Sequence, residues 1–185
     1  ASALMQGLAD GYFVLPYTIQ NYLSKEIYSQ PIPTTVPEFD EAEKAVAAKI
    51  EKLMSIKGNK SVDTFQKELG HIMWNKVGMG RTAQGLQEAI PMLKALKEDF
   101  WANVRITGDT NSMNPELEKA LRLSDHIELA QLMAKDALHR EESCGGHFRE
   151  EHQTEEGEAK RNDEQFMYVA AWEYQGEGNE PQMHK

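Results

Sequence analysis

The longest regular pattern of apolar and polar positions runs from Asn114 to Leu138 and predicts a helix of about six turns. Asn114 is a favourable N-cap, and Pro115 suits the first helical position, where its missing N–H costs nothing. Apolar and small residues then recur at steps of three and four, at Leu117, Ala120, Leu121, Ser124, Ile127, Ala130, Met133, Ala137 and Leu138. The pattern fades after Arg140, and Gly145-Gly146 provides the backbone freedom for a reversal.

The N-terminal segment is apolar on more than one face. One helical stripe comprises Leu4, Leu8, Tyr12, Leu15, Ile19 and Tyr22, and the opposite side carries Met5, Ala9, Phe13 and Val14. A helix of this kind is normally enclosed on most sides, so we expect part of its covering to come from outside this chain. Three prolines between Pro31 and Pro37 exclude a helix there and predict a domain boundary.

Three further helices are predicted between the prolines and Asn114, over Glu38–Ile56, Val62–Lys76 and Ala83–Val104. Pro91 lies inside the last of them and is expected to kink it. Residues 166–174 form a second apolar cluster typical of a short strand or extended segment, and residues 175–185 are expected to fray. The predicted fold is therefore all-α, an antiparallel helical bundle with an N-terminal apolar helix and an extended C-terminal tail.

Composition narrows the function classes. Twenty basic and thirty acidic residues give a net charge of −10, which disfavours binding to nucleic acid or to anionic membrane surfaces. A single cysteine, Cys144, excludes an intramolecular disulfide and fits a reducing compartment. The N-terminal apolar run contains Gln6, Asp10 and Pro16, which make it a poor transmembrane segment.

Residue spacing alone indicates no catalytic chemistry. Gly78-Met79-Gly80 lacks a third glycine and follows a helix, so it predicts a turn and not a dinucleotide site. Cys144, His147 and His152, preceded by His139, lack the paired spacing of structural zinc sites, and no metal site is predicted. The acidic pairs Glu141-Glu142, Glu150-Glu151 and Glu155-Glu156 are typical of solvated faces. No Ser/His/Asp or Cys/His constellation can be recognised.

Three stretches do carry a family resemblance. The segment Arg140–Arg149, followed by Arg161-Asn-Asp-Glu164, resembles the closing motif of the flavoprotein subunit of succinate dehydrogenase and fumarate reductase, written E-S-R-G-x-H-x-R with a later D-D/N-D. Met73 to Met92, with Gly80-Arg81-Thr82, is similar to that family's helical C-terminal domain. Ala1 to Met5, with Gly11, is similar to the last helix of its FAD domain, which reads G-A-N-S-L.

The resemblance implies the C-terminal part of a larger FAD enzyme, with residues 1–30 as the terminal helix of the FAD domain, 31–149 as the helical C-terminal domain and 150–185 as a tail. Contacts from backbone N–H groups to the pyrimidine edge of the flavin fall on Ser2, Ala3 and Leu4. Ala3 replaces the family's serine, so only main-chain contacts are implied there. Cys144 replaces an arginine, which leaves that arginine's ion pair in doubt. The family's catalytic residues would lie upstream, so none is expected in this chain.

By the same resemblance, the intact subunit binds FAD and interconverts succinate and fumarate, while the isolated chain is expected to hold no cofactor and to be inactive. Its implied partners are the FAD and capping domains of the same subunit, an iron–sulfur subunit and a membrane anchor. Its implied location is the cytoplasmic face of the inner membrane, as a peripheral subunit without a transmembrane segment. The fragment is expected to self-associate through the helix at residues 3–23. A free-standing helical interaction module is the alternative, and L-aspartate oxidase is a third possibility.

Overall fold

The computed structural model describes residues 2–176 and 178–185, so Ala1 and Glu177 lie outside the described residues. It contains two compact units, residues 1–46 and 47–185. The domain limits predicted after residues 30 and 149 stay predictions. No helix among the described residues is long and apolar enough to span a lipid bilayer.

The first unit holds the N-terminal apolar helix. Helix α1 (Ser2–Ala9) continues through a π-helical turn, Asp10–Val14, into α2 (Leu15–Leu23), so the predicted helix is confirmed and the π-helical turn is new. None of the described residues in these three segments is buried. Leu4 is 79% exposed and Tyr12 73% exposed, which confirms that the apolar faces of this helix are uncovered.

Helix α3 (Pro37–Ser55) leads into the second unit, which contains the predicted bundle. The next helices are α4 (Val62–Ile72), extended by a π-helical turn at Met73–Val77, then α5 (Ala83–Asn103) and α6 (Pro115–His139). The predicted N-cap at Asn114 is confirmed, because its side chain accepts a hydrogen bond from a backbone N–H of the first turn. The side chains of Ser61 and Thr82 cap α4 and α5 in the same way. Helix α5 continues through Pro91.

The core of the second unit lies among α4, α5, α6 and the end of α3. Phe65 and Phe100 are fully buried and meet edge to face, with ring centroids 5.4 Å apart. The other fully buried large side chains are Leu53, Leu86, Leu93, Ile127, Val62 and Val104. At the rim of this core, Lys49 of α3 pairs with Asp125 of α6 at 2.9 Å. The long helix α6 thus packs against α4, α5 and the end of α3, as an all-α bundle requires.

Two small sheets accompany the helices in the part of the chain that the structure describes. Strands β1 (Lys60–Ser61) and β2 (Val104–Arg105) are parallel. Gly58 lies close to this pair, and a Cβ there would fall 1.8 Å from the carbonyl oxygen of Asn103. Tight backbone contact therefore requires glycine at this position.

The C-terminal residues differ from the prediction. Phe166 is the last residue of a short helix, α7 (Asp163–Phe166), and does not lie in a strand. Its side chain is buried. Strand β3 (Ala171–Glu173) pairs with β4 (Gln182–His184) in an antiparallel ladder. The expectation that residues 175–185 fray was wrong for this strand, because Trp172 anchors the ladder by donating its indole N–H to Asp136 of α6 at 2.8 Å.

Candidate functional site

The candidate site is built around the reversal that follows α6. The backbone N–H of Cys144 donates to the carbonyl oxygen of His147 at 2.8 Å, and the N–H of His147 donates back to Cys144 at 3.1 Å. Gly145 occupies the left-handed region with φ +58°, which explains why glycine is required in this turn. The predicted glycine reversal is therefore confirmed as a two-residue turn that places Cys144 and His147 side by side.

Arg149 ties this segment to the end of α6. Its side chain is buried, and its Nη1 donates to the carbonyl oxygens of Ala137 at 3.0 Å and Leu138 at 3.3 Å. Its Nε donates to Glu151 at 3.2 Å. A cation at this position satisfies carbonyl groups that a helix C-terminus leaves without partners and complements the negative end of the helix dipole.

Arg140 and Glu142 fasten the tail in a similar way. Nη1 of Arg140 donates to Glu142 at 2.7 Å and to the carbonyl oxygen of Phe166 at 3.0 Å, while Nη2 donates to the carbonyl oxygen of Tyr168 at 2.9 Å. The second carboxylate oxygen of Glu142 accepts the N–H of Asn162 at 2.8 Å. Burial alone raises the pKa of Glu142, but these hydrogen bonds and the charge of Arg140 hold the pKa below its ordinary value.

One residue of the acidic pairs, Glu142, corrects the sequence interpretation of these pairs as solvated faces. Glu142 is 3% exposed, because it is the common acceptor for Arg140 and the tail backbone. Glu151 is exposed, as predicted, but its carboxylate also accepts the N–H of Ala83, the first residue of α5, at 2.5 Å. Both carboxylates lie two residues from an arginine in sequence, a spacing that could have indicated pairing.

Arg81 connects the turn before α5 to the closing motif. Its N–H donates to the carbonyl oxygen of Phe148 at 3.0 Å, and its own carbonyl accepts the N–H of Glu150 at 2.8 Å. Its Nε donates to the carbonyl oxygens of Val77 at 3.0 Å and Gly78 at 3.1 Å. Two of the stretches that resemble the flavoprotein family are therefore in direct contact, although they lie more than sixty residues apart in sequence.

His147 lies between two arginines. Its Nε2 is 2.9 Å from the carbonyl oxygen of Arg140, and its Nδ1 is 2.7 Å from Nη1 of Arg81. Because a carbonyl can only accept and a guanidinium can only donate, the ring is neutral with its proton on Nε2. Burial lowers the pKa of His147, and the positive charges of Arg81, Arg149 and Arg140 lower it further, against the hydrogen bond to the Arg140 carbonyl, which raises it.

These residues border a cavity of about 330 Å³, lined by Arg81, Met133, Asp136, Ala137, Arg140, Cys144 and His147. Cys144 and His147 share this cavity, but both ring nitrogens of His147 are already engaged. The ring therefore has no free base to activate the thiol. Among the described residues, no group of three or more His, Cys, Asp and Glu side chains is arranged to hold a metal ion. The side chains of Arg81, His147 and Arg149 thus hold the closing motif against α6 and the turn before α5.

Ser2, Ala3 and Leu4, the residues to which the resemblance assigns flavin contacts, form the first turn of α1. Their side chains are exposed. The first N–H groups of a helix have no acceptor within the helix, so this turn has free backbone donors of the kind that the resemblance requires. The flavin contacts themselves stay a prediction.

Comparison with known proteins gives a consistent result. Residues 66–185 match the family model described as the fumarate reductase flavoprotein C-terminus. The chain is 30% identical over 146 residues to the fumarate reductase flavoprotein subunit of Serratia sp., covering 79% of this chain and 24% of that protein. It is 32% identical over 121 residues to L-aspartate oxidase 1 of Ralstonia nicotianae, covering 64% of this chain and 19% of that one.

Solved structures agree on the fold. A variant of E. coli quinol fumarate reductase superposes with a TM-score of 0.69 at 23% identity, covering 86% of this chain and 26% of that chain. The Mycobacterium smegmatis Sdh1 complex gives a TM-score of 0.57 at 29% identity, covering 67% and 20%. The chain thus spans about a quarter or less of the length of these relatives. With a family model that matches most of its length, the chain belongs to the family of fumarate reductase flavoprotein C-terminal regions.

Proposed function

We propose that this chain is the C-terminal part of an FAD-dependent succinate dehydrogenase or fumarate reductase flavoprotein subunit, and that the intact subunit interconverts succinate and fumarate. The observation that carries the proposal is the family match over residues 66–185. The helical bundle and the contact between Arg81 and the closing motif give that match a structural basis. Membership of this family favours the flavoprotein interpretation over a free-standing interaction module.

In the intact subunit, FAD would accept and release the hydride, and electrons would pass through an iron–sulfur subunit and a membrane anchor at the cytoplasmic face of the inner membrane. The role of this chain toward FAD is limited to the first turn of α1. Ser2, Ala3 and Leu4 would direct backbone N–H groups at the flavin pyrimidine, where the positive end of the helix stabilises the negative charge of the reduced ring. The exposed apolar faces of α1 and α2 are suited to be covered by the rest of the flavin domain.

The chain alone is expected neither to retain FAD nor to oxidise succinate. A few main-chain hydrogen bonds contribute about 0.5–1.5 kcal/mol each. Three such bonds sum to about 1.5–4.5 kcal/mol. This sum at most offsets the minimum cost of association, which is estimated at about 4 kcal/mol or more, and leaves no surplus for tight binding. The first experiment therefore compares the 185-residue chain with the full-length flavoprotein after desalting. Flavin absorbance and succinate oxidation in the full-length protein only would support the proposal.

The same assay separates the two related activities. L-Aspartate and succinate are supplied in turn to the full-length flavoprotein. Both substrates are tested because the chain is about as similar in sequence to L-aspartate oxidase 1 as to the fumarate reductase flavoprotein subunit. Turnover of succinate without turnover of L-aspartate is expected. Turnover of L-aspartate alone would refute the proposed substrate, and turnover by the 185-residue chain would refute the proposed location of the active site.

The contact at α1 is tested by Ala3→Pro in the full-length flavoprotein, with Ala3→Gly as the matched control. Proline is tolerated in the first turn of a helix but removes one N–H, whereas glycine retains it. Ala3→Pro is expected to lower the reduction potential of the bound flavin relative to Ala3→Gly, since the reduced, anionic ring loses a donor. Equal potentials in the two variants would contradict a main-chain contact at Ala3.

A further inference from the structure

Asp136 of α6 faces two donors that lie on different parts of the chain. One oxygen of its carboxylate accepts the indole N–H of Trp172 at 2.8 Å. The same carboxylate lines the cavity of about 330 Å³ that Arg81 also borders. Burial lowers the pKa of Arg81, while the charge of Asp136 raises it, so the two groups attract each other across this cavity. Among the described residues, however, no direct ion pair joins them. Asp136 is thus bound by the tail and attracted by Arg81.

Arg81 has an unused donor for a closer contact with Asp136. Its Nε donates to the carbonyl oxygens of Val77 and Gly78, and its Nη1 lies 2.7 Å from Nδ1 of His147. In the part of the chain that the structure describes, its Nη2 has no acceptor at hydrogen-bond distance, and the second carboxylate oxygen of Asp136 has no donor. A shift of this carboxylate toward Nη2 would therefore add a charge-assisted hydrogen bond without breaking any that Arg81 already makes.

The C-terminal hairpin, residues 171–184 with strands β3 and β4, is held to the bundle by contacts at its surface. None of its described residues is buried. Trp172 donates to Asp136, and Glu180, which is 87% exposed, pairs with Lys135 on the same helix. Elements with little buried apolar surface open locally at a smaller free-energy cost than global unfolding. Detachment of this hairpin therefore releases Asp136 from its present partner while the helical bundle stays folded.

We propose that Asp136 is a switch between the C-terminal hairpin and Arg81. When the hairpin is docked, the carboxylate is held by Trp172; when the hairpin detaches, the carboxylate pairs with Nη2 of Arg81 and narrows the cavity between them. The backbone of Arg81 in turn hydrogen-bonds Phe148 at 3.0 Å and Glu150 at 2.8 Å, so the closing motif is coupled to the state of the tail. A partner that takes the hairpin off α6 would favour the Arg81–Asp136 pair. The switch concerns residues of this chain alone and is tested without flavin.

The experiment compares Trp172→Phe with wild type in the 185-residue chain by NMR. Phenylalanine keeps an aromatic ring near Lys135 but removes the N–H that holds Asp136. Amide hydrogen exchange across β3 and β4 should become about tenfold faster or more, as expected for the loss of a hydrogen bond to a charged group. The side-chain N–H groups of Arg81 should at the same time exchange with water more slowly, because Nη2 gains an acceptor.

Two further variants separate the switch from other effects of the substitution. Tyr174→Phe is the matched control, because Tyr174 lies in the same hairpin and is 77% exposed, so loss of its hydroxyl should change neither measurement. The double variant Trp172→Phe with Asp136→Ala removes the carboxylate as well as its present donor. Its hairpin should exchange as fast as in Trp172→Phe alone, whereas the side chain of Arg81 should gain no protection.

Two results for Arg81 would overturn the proposal. Faster exchange in the hairpin of Trp172→Phe without slower exchange at Arg81 would show that the released carboxylate does not reach Nη2. Equal protection of Arg81 in Trp172→Phe and in the double variant would show that a group other than Asp136 is the acceptor. Unchanged exchange in the hairpin of Trp172→Phe would refute the docked state, because the indole N–H would then not hold the hairpin on α6.

Discussion

Replacing Arg149 with methionine should be among the most destabilising single changes at the closing motif. The side chain is 3% exposed and makes hydrogen bonds to the carbonyl groups of Ala137 and Leu138 and to Glu151. Methionine fills a similar volume but donates no hydrogen bond, so it leaves two carbonyl groups and one carboxylate without their partner. Loss of one member of a buried ion pair costs about 3–5 kcal/mol. The partly exposed position of Glu151 allows water to replace some of that interaction, so we expect a loss of about 3 kcal/mol.

Urea unfolding of the 185-residue chain, followed by far-ultraviolet circular dichroism, measures this change in the free energy of unfolding. Arg122→Met is the matched control: Arg122 is 71% exposed and pairs with Glu118 within one helix, so its loss should cost about 0.5 kcal/mol or less. Arg149→Lys should fall between the two, since one ammonium cannot reproduce the spread of guanidinium donors. A loss below about 1 kcal/mol for Arg149→Met would refute the assigned role at the helix end.

Three further predictions address other parts of the chain. The pKa of His147 is lowered by burial and by the charges of three arginines, so the unfolded chain binds a proton more readily than the folded chain. The stabilising contribution of the neutral His147 ring is therefore complete above the unfolded pKa of about 6.5 and is lost as the pH falls below that value. Between pH 7.5 and pH 5.5, about one unit on either side of that pKa, the free energy of unfolding should decrease less in His147→Gln than in wild type. An equal decrease in the two proteins would contradict the prediction. Gly58→Ala should destabilise the chain by about 1–3 kcal/mol, because the new Cβ would collide with the backbone of Asn103. Gly70→Ala lies inside α4, where a Cβ meets nothing within 4 Å, and should stabilise the chain by about 0.5–1 kcal/mol. Thermal unfolding compares the two variants, and changes in stability of the same sign would refute the argument. The exposed helix at residues 3–23 should cause self-association, which Leu8→Asp with Leu15→Asp should abolish in sedimentation velocity; a wild-type chain that stays monomeric at high concentration would contradict this.

The sequence by itself determined the helices and their starts. Helix capping is local: the oxygen of Asn114 accepts from Leu117, and that of Thr82 accepts from Gly85, each three residues ahead. Apolar periodicity likewise depends on neighbours within a few positions, so it located α3 to α6 and the exposed N-terminal helix. The reversal at Gly145 was predictable because it reflects the backbone freedom of a single residue type.

Only the tertiary structure decided which polar residues are buried and what they contact. Glu142 is acidic and lies in a charged segment, and nothing in its immediate surroundings indicates that it becomes the acceptor for Asn162, twenty residues later. The contact between Arg81 and His147 spans sixty-six positions. Such contacts follow from the way α5, α6 and the tail converge, and a buried charge is stable only where that convergence provides its partner. The cavity at Arg81 results from the same convergence, so local sequence patterns could not reveal it.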